Sequence, residues 1–526
     1  MTTLQRFLFL GGIVLQLFLA IASLQHKGLT WDEYHHYSYG LGVLHGSPQW
    51  QNVPEMPFSV LNVLFSDKNS DLESQIKTGR LVTVFFLWTL SIIVFHWSKE
   101  LYGTTAAIFS LFLFCLDPNF IAHGHLVTCD IYAAVAITLA LYCFWKFLKH
   151  GGYRYAILSA TTLGISQLAK YTSLYLYPIF LFIVIFKFSP VIVSSFRERN
   201  FGVLGGWAKS FLKYFSMFLL INILIINAGY SFYKPFFPLK DYAFKSHTFK
   251  SLQTVGLVNS IPLPLPYPFI DGLDFMRYID DTGQTFGNMY LLGRLHDKGK
   301  GFKSYYFIAM LFKVPIATLF IIFMALVNDG RARKKGILRD ETIFFLLPVT
   351  FYLILFSLFF NTDIGIRYIL FIFPLLYVFC GSLFVSWGRY SFMVKAFFMS
   401  LMLYLAGSVF SYFPHYISYF NELVPDRKMA YKILADSNLD WRGDEWYVNE
   451  YLKKHPESIL LPPSPVPGRI IVNVNDLVGV FEPQKFAWLR DNFEPIDQIA
   501  YSWLVYDIKW SDIERLLAGT AHPYHN

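Results

Sequence analysis

Apolar runs long enough to cross a membrane recur along this chain, separated by short polar breaks. About 20 apolar residues, rising 1.5 Å each, cover the ~30 Å hydrocarbon core of a bilayer. Such runs fall near 5–25, 80–97, 104–117, 130–147, 155–169, 172–188, 210–229, 304–327, 342–360, 366–386 and 396–413. They predict about eleven transmembrane helices. Three long polar stretches stand apart, at 27–79, at 230–303 and from 414 onward. In the last of these the pattern changes. Helix-like stretches at 428–434 and 445–454 precede a Pro-rich linker at 461–468, and β-like runs follow at 469–474 and 499–506. The expected fold is a polytopic all-α membrane bundle over 1–413, with a small α/β domain over 414–526.

Composition agrees with this pattern. Of the 526 residues, 55% are hydrophobic and 15% charged, against ~45–50% and ~25% in an average soluble domain. Disorder, collagen and coiled coil are excluded, and a purely soluble enzyme is not the expectation. The net charge of +8 would suggest nucleic acid in a soluble protein, but here the basic residues sit in alternate short loops. One set of loops holds seventeen of them, from Arg6 to Lys395, and the opposite short loops hold only Lys170 and Arg367. Basic residues mark the cytoplasmic side. The N-terminus is therefore expected inside, and 27–79, 230–303 and 414–526 outside. The first apolar run, 7–22, lacks a convincing small-x-small cleavage site, so it reads as an uncleaved span. Four cysteines without a CxxC pair support neither a disulfide framework nor a structural metal.

Chemistry is expected where charges meet the outer ends of spans. The first loop opens with Trp31-Asp32-Glu33-Tyr34-His35-His36, and Asp130 runs straight into an apolar segment. A carboxylate at that depth is costly unless it is paired or functional; the alternative is a helix cap, by Thr128 or by Asp130 itself. Lys170 has no acidic neighbour in sequence, Arg367 has Asp363, and Lys313 lies inside a span. Cations on the outer side break the orientation trend, and a phosphate ligand explains them; snorkelling to lipid headgroups is the alternative. His35, His36, His123 and His125 leave a divalent metal as a lesser option, because adjacent histidines on a helix point about 100° apart. The prolines of 262–268 predict a stiff, extended wall facing substrate.

Trp31-Asp32-Glu33, His125-Leu126-Val127-Thr128-Cys129-Asp130 and Ala169-Lys170-Tyr171-Thr172 resemble the membrane glycosyltransferases of the GT-C class. The nearest kin are polyprenyl-phosphate-dependent transferases related to protein O-mannosyltransferases and the lipid A aminoarabinose transferase. Further matching stretches are 266–272, 290–293, 305–307, 313–315, 365–370, 419–422 and 436–441, so the resemblance spans nearly the whole chain. It implies an inverting transfer of a hexosyl or pentosyl group from a polyprenyl-phosphate carrier, on the extracytoplasmic face, to a protein, lipid or glycan acceptor. It implies Asp32 as base, Glu33 and Asp130 as further catalytic acids, and Lys170 and Arg367 on the lipid phosphate, with His125, Arg294 and Lys313 as further substrate-binding residues. No cofactor is required, no nucleic acid is involved, and the expected location is a bacterial inner membrane with the site facing the periplasm or exterior. The chain departs from the family at Tyr368 and Phe371, where His and Pro are expected, and at Arg442-Gly443, where Gly-Gln is expected; these loosen the acceptor assignment. A transporter or flippase for a lipid-linked substrate, and a non-catalytic membrane scaffold, are the competing functions.

Overall fold

The computed structural model describes residues 1–67, 69–199, 201–256, 259–334 and 340–518. Two of the basic residues counted for orientation, Lys335 and Arg339, lie outside the described residues. The chain opens with α1 (Thr3–Gln25), whose N-terminus is closed by a Thr2–Gln5 capping box, and a short link leads to α2 (Trp31–Leu44). Next come α3 (Leu72–Tyr102), α4 (Thr104–Cys115), the one-turn α5 (Pro118–His123), α6 (Asp130–His150), α7 (Gly152–Ser166), α8 (Leu176–Arg197) and α9 (Phe201–Gly229). The α3–α4 reversal is a single residue, Gly103, at φ +87°, a backbone conformation that costs glycine little.

Seven helical segments among the described residues are long and apolar enough to span a bilayer, or eight if one bent pair counts as a span. This differs from the eleven expected. All eleven positions carry helix, but α4, α7 and Ile343–Phe359 have only 12, 15 and 17 residues, or ~18–26 Å at 1.5 Å per residue. The span expected at 304–327 is broken instead. Tyr305–Lys313 and the following helix meet at 116°, because Pro315 forces Val314 to be extended (φ −95°, ψ 133°). Apolar side chains such as Phe7, Phe186, Leu220 and Phe392 point outward from the bundle, as lipid-facing positions should. With seven such helices and this outer surface, the protein is an integral, multi-pass membrane protein.

The long loops are structured. The Pro-rich stretch, expected as an extended wall, pairs only briefly, Pro262 with Pro238, and then turns at Pro266 into the helix Tyr267–Thr282. Asp271 of that helix accepts the Asn52 backbone N–H at 2.6 Å, joining the two long loops.

Past 414, four strands form a sheet in the order Ile459–Leu460, Gly468–Asn473, Trp503–Ile508, Asp497–Ile499. The first pair is parallel; Gly468–Asn473 runs antiparallel to Trp503–Ile508, with Ile470 opposite Tyr506. Side chains alternate across a strand, and here both faces are buried. Ile470, Val472, Leu504 and Tyr506 join the main core of the helical bundle, while Ile471 and Val505 pack with Val448 of the helix Glu445–Lys454. One face of the sheet is thus continuous with the body that carries the spans.

Candidate active site

Four residues far apart in sequence meet where spans begin and end. Asp32 lies in the first turn of α2, Asp130 opens α6, Lys170 precedes the turn leading into α8, and Arg367 sits in the first turn of Ile366–Ile372. Arg367 Nη1 lies 3.1 Å from Asp32 Oδ2 and 3.6 Å from Asp130 Oδ2. Lys170 Nζ donates to Asp130 Oδ1 at 2.6 Å. The acid partner that sequence did not supply for Lys170 therefore comes from α6. The Asp130 side chain is fully buried, while Asp32 keeps 30% of its side chain exposed and Lys170 13%. Asp130 anchors two cations from within; Asp32 is the carboxylate that an incoming molecule can reach. Burial works against the Lys170 charge, but the Asp130 charge, Cys129 and the Asp130 hydrogen bond together outweigh it and raise the Lys170 pKa.

Aromatic rings frame the cations. The Arg367 guanidinium stacks 3.8 Å from the centre of the Trp441 ring, and the Tyr368 ring lies 5.2 Å from it and 4.9 Å from Lys170 Nζ. Arg442 lies 4.3 Å over the Trp31 ring, next to Asp32. Tyr368 and Arg442, two of the departures from the family pattern, thus both line this site. Asp363, the acid nearest Arg367 in sequence, accepts the Phe302 N–H.

Glu33 is turned the other way. Consecutive helical side chains point about 100° apart, and Glu33 is buried against Arg80 of α3, which donates to both of its oxygens at 2.8 and 2.6 Å. The backbone N–H groups of Thr30 and Val127 donate to it as well, at 2.8 and 3.0 Å. Burial raises the Glu33 pKa, but the Arg80 charge and these bonds outweigh it and hold the carboxyl below its usual value. Glu33 therefore ties α2, α3 and the loop before α6 together. Removing one partner of a buried ion pair costs about 3–5 kcal/mol. Glu33→Gln should accordingly lower the melting temperature and membrane yield well below those of Asp32→Asn. Equal thermal stability of the two variants would contradict this role.

Lys313, at the bend before Pro315, donates to the backbone carbonyls of Ile417 and Asn438 at 2.7 and 2.6 Å. His125 is buried, with Nδ1 2.9 Å from the Ile121 carbonyl. His123 is buried with its ring edge-on to Trp441 at 5.7 Å. Burial pushes both imidazoles down to about 3, so they are neutral. His36 reaches Ser59, and His35 is exposed. Among the described residues no three His, Cys, Asp or Glu side chains converge as a metal site. Arg294 stands exposed on the two-stranded ribbon Met289–Leu291/Arg294–His296. Sequence reasoning missed Arg80, Ser437 and the stacking role of Trp441. Arg80 had a signal, a lone arginine at the first residue of an apolar run; the other two lie in the matching stretch 436–441, which marked the segment but not their contact with Arg367.

Two acids and two cations, framed by aromatic rings, thus meet at the span ends. Residues 72–199, which contain Asp130 and Lys170, match the family model described as dolichyl-phosphate-mannose-protein mannosyltransferase. That match bears out the resemblance to polyprenyl-phosphate-dependent glycosyltransferases of the GT-C class. Among solved structures, the chain is similar to ArnT from Cupriavidus metallidurans bound to undecaprenyl phosphate, at 11% identity and TM-score 0.47, over 96% of this chain and 98% of that one. It is also similar to the archaeal oligosaccharyltransferase AglB from Archaeoglobus fulgidus, in complex with an inhibitory peptide and a dolichol-phosphate. That similarity has 14% identity and TM-score 0.49, over 86% of this chain and 59% of AglB. No curated protein matches by sequence.

Proposed function

We propose that this protein is an inverting glycosyltransferase. It moves a sugar from a polyprenyl-phosphate carrier to an acceptor on the extracytoplasmic face of the membrane. The observation that carries the reading is the placement of Arg367 between Asp32 and Asp130, with Lys170 on the other oxygen of Asp130. A reachable carboxylate and two anchored cations are what the reaction needs on either side of an anomeric carbon. The acceptor O–H gives its proton to Asp32 as its oxygen bonds to the anomeric carbon. The bond from that carbon to the phosphate oxygen breaks on the opposite face, and polyprenyl phosphate leaves carrying the electron pair. Arg367 and Lys170 meet that growing charge. Asp130 keeps the two cations in place, and no metal is needed for the charge balance. Lys313 and His125 hold the shape behind the cluster, and exposed Arg294 is available to the acceptor.

In this reading α4, α7 and Ile343–Phe359 are short spans that complete eleven crossings, and 414–526 is an extracytoplasmic α/β domain. Reporter fusions after Tyr230 and after Leu517 are then expected to read extracytoplasmic, and one after Lys334 cytoplasmic. A cytoplasmic result after Leu517 would remove one crossing and put the C-terminal segment on the wrong side.

The experiment for the function is a deletion strain whose lipids are read by mass spectrometry. A polyprenyl-phosphate-linked sugar should accumulate and return to its normal level on complementation. An unchanged lipid-linked pool, with unchanged glycans, would overturn the reading.

A further inference from the structure

The stretch 436–444 belongs to the polar C-terminal part of the chain, yet it contacts Arg367 of the candidate site directly. Ser437 Oγ accepts from Arg367 Nε at 3.2 Å and donates to the Ile364 carbonyl at 2.5 Å. Its hydrogen is thereby committed, and a lone pair is left facing the guanidinium. Gly365 makes room, because a Cβ there would collide with Ser437 Oγ. Trp441 then covers the face of the same guanidinium at 3.8 Å.

The stretch is itself held from two sides. From the membrane part, Lys27 Nζ bonds both Asp444 oxygens at 2.6 and 2.7 Å. The backbone N–H groups of Gly28 and Trp31 donate to the carbonyls of Gly443 and Trp441 at 2.9 and 3.3 Å. From the C-terminal sheet region, Asn475 Oδ1 accepts the Asp436 N–H at 2.7 Å, Asn473 Nδ2 donates to Asp440 at 2.9 Å, and Ser502 Oγ donates to Asp444 at 2.8 Å. Burial works to raise the Asp444 carboxyl, but the Lys27 charge, with His415, brings it down to about 2, so this tie stays ionic.

We propose that Ser437 and Trp441 are positioning residues for Arg367, so that the C-terminal segment completes the phosphate-facing half of the site. This rests on the function proposed above. An arginine flanked by two carboxylates has several poses available. A fixed Nε bond and a stacked face leave one, with the edge of the guanidinium turned toward Asp32 and Asp130. Stacking on tryptophan is the strongest of the cation–ring contacts, and a fixed donor helps a transition state more than a mobile one of equal charge.

The test is a double-mutant cycle in nanodiscs, using a polyprenyl-phosphate-linked sugar as donor and reading release of polyprenyl phosphate. Trp441→Leu and Ser437→Ala should each lower kcat about tenfold, with a smaller change in KM for the donor. Trp441→Phe should restore most of the loss. In an Arg367→Ala background neither substitution should cost anything further, since each acts through the missing guanidinium. Ser437→Ala removes one oxygen, so it remains informative if Trp441→Leu folds poorly. Losses that multiply in the Arg367→Ala background overturn the proposal. So does a Trp441→Phe protein as impaired as Trp441→Leu, with activity following melting temperature. If the wild-type protein releases no polyprenyl phosphate, the functional reading fails and takes this inference with it; turnover with an additive cycle removes the inference alone.

Discussion

Asp32→Asn protein is expected to reach the membrane at normal yield, to melt near the wild-type temperature, and to lose ~10²–10⁴ in transfer rate, the usual loss on removing a general base. The amide keeps the size of the carboxylate but cannot take a proton. Asp32 is well suited to the substitution because it is partly exposed and its ion pair with Arg367 lies at the edge of the cluster. The buried charge of Asp130 stays paired with Lys170 when Asp32 is neutralised. Transfer at the wild-type rate by Asp32→Asn, with the same donor and acceptor, would remove Asp32 from the reaction.

Arg367→Ala is the second large effect. It takes away the cation that faces both carboxylates, and losing one fixed charge-stabilising donor costs ~10²–10³ in kcat. Arg367→Lys should fall between alanine and wild type. Lysine keeps the charge but cannot bond Ser437 through an Nε–H while presenting a planar edge to a phosphate. It also gives up the flat stack on Trp441. Measuring rate against donor concentration separates the two substitutions. If Arg367→Ala lowers only the melting temperature and leaves both donor affinity and rate unchanged, Arg367 is a structural residue of the span end.

Much of this arrangement is legible in the sequence, for a physical reason. An ionised group beside an apolar run is expensive, so Asp32, Asp130, Lys170 and Arg367 each stand out against their neighbours. Their partners do not. Lys170 meets Asp130 across 40 residues, and Arg80 meets Glu33 across 47. Such separations are set by how helices pack, which the order of residues along the chain does not display. Glu33 shows the same limit, since adjacency to Asp32 suggests a shared site and the helical turn sends it inward. The bend at Pro315 is visible as a proline, yet the hydrophobic run on both sides reads as one span. The stretch 436–441 matches the family pattern, but its approach to Arg367 is not displayed along the chain, because it depends on the C-terminal sheet sharing a core with the bundle.

The most direct measurement is the fate of a polyprenyl-phosphate-linked sugar given to purified protein in nanodiscs together with extracytoplasmic acceptor material, followed by mass spectrometry. The account predicts free polyprenyl phosphate in equal amount to sugar gained by the acceptor, with the anomeric configuration inverted, and neither product with Asp32→Asn. Movement of the intact lipid-linked sugar across a sealed bilayer without cleavage, or equal cleavage by wild type and Asp32→Asn, would contradict it.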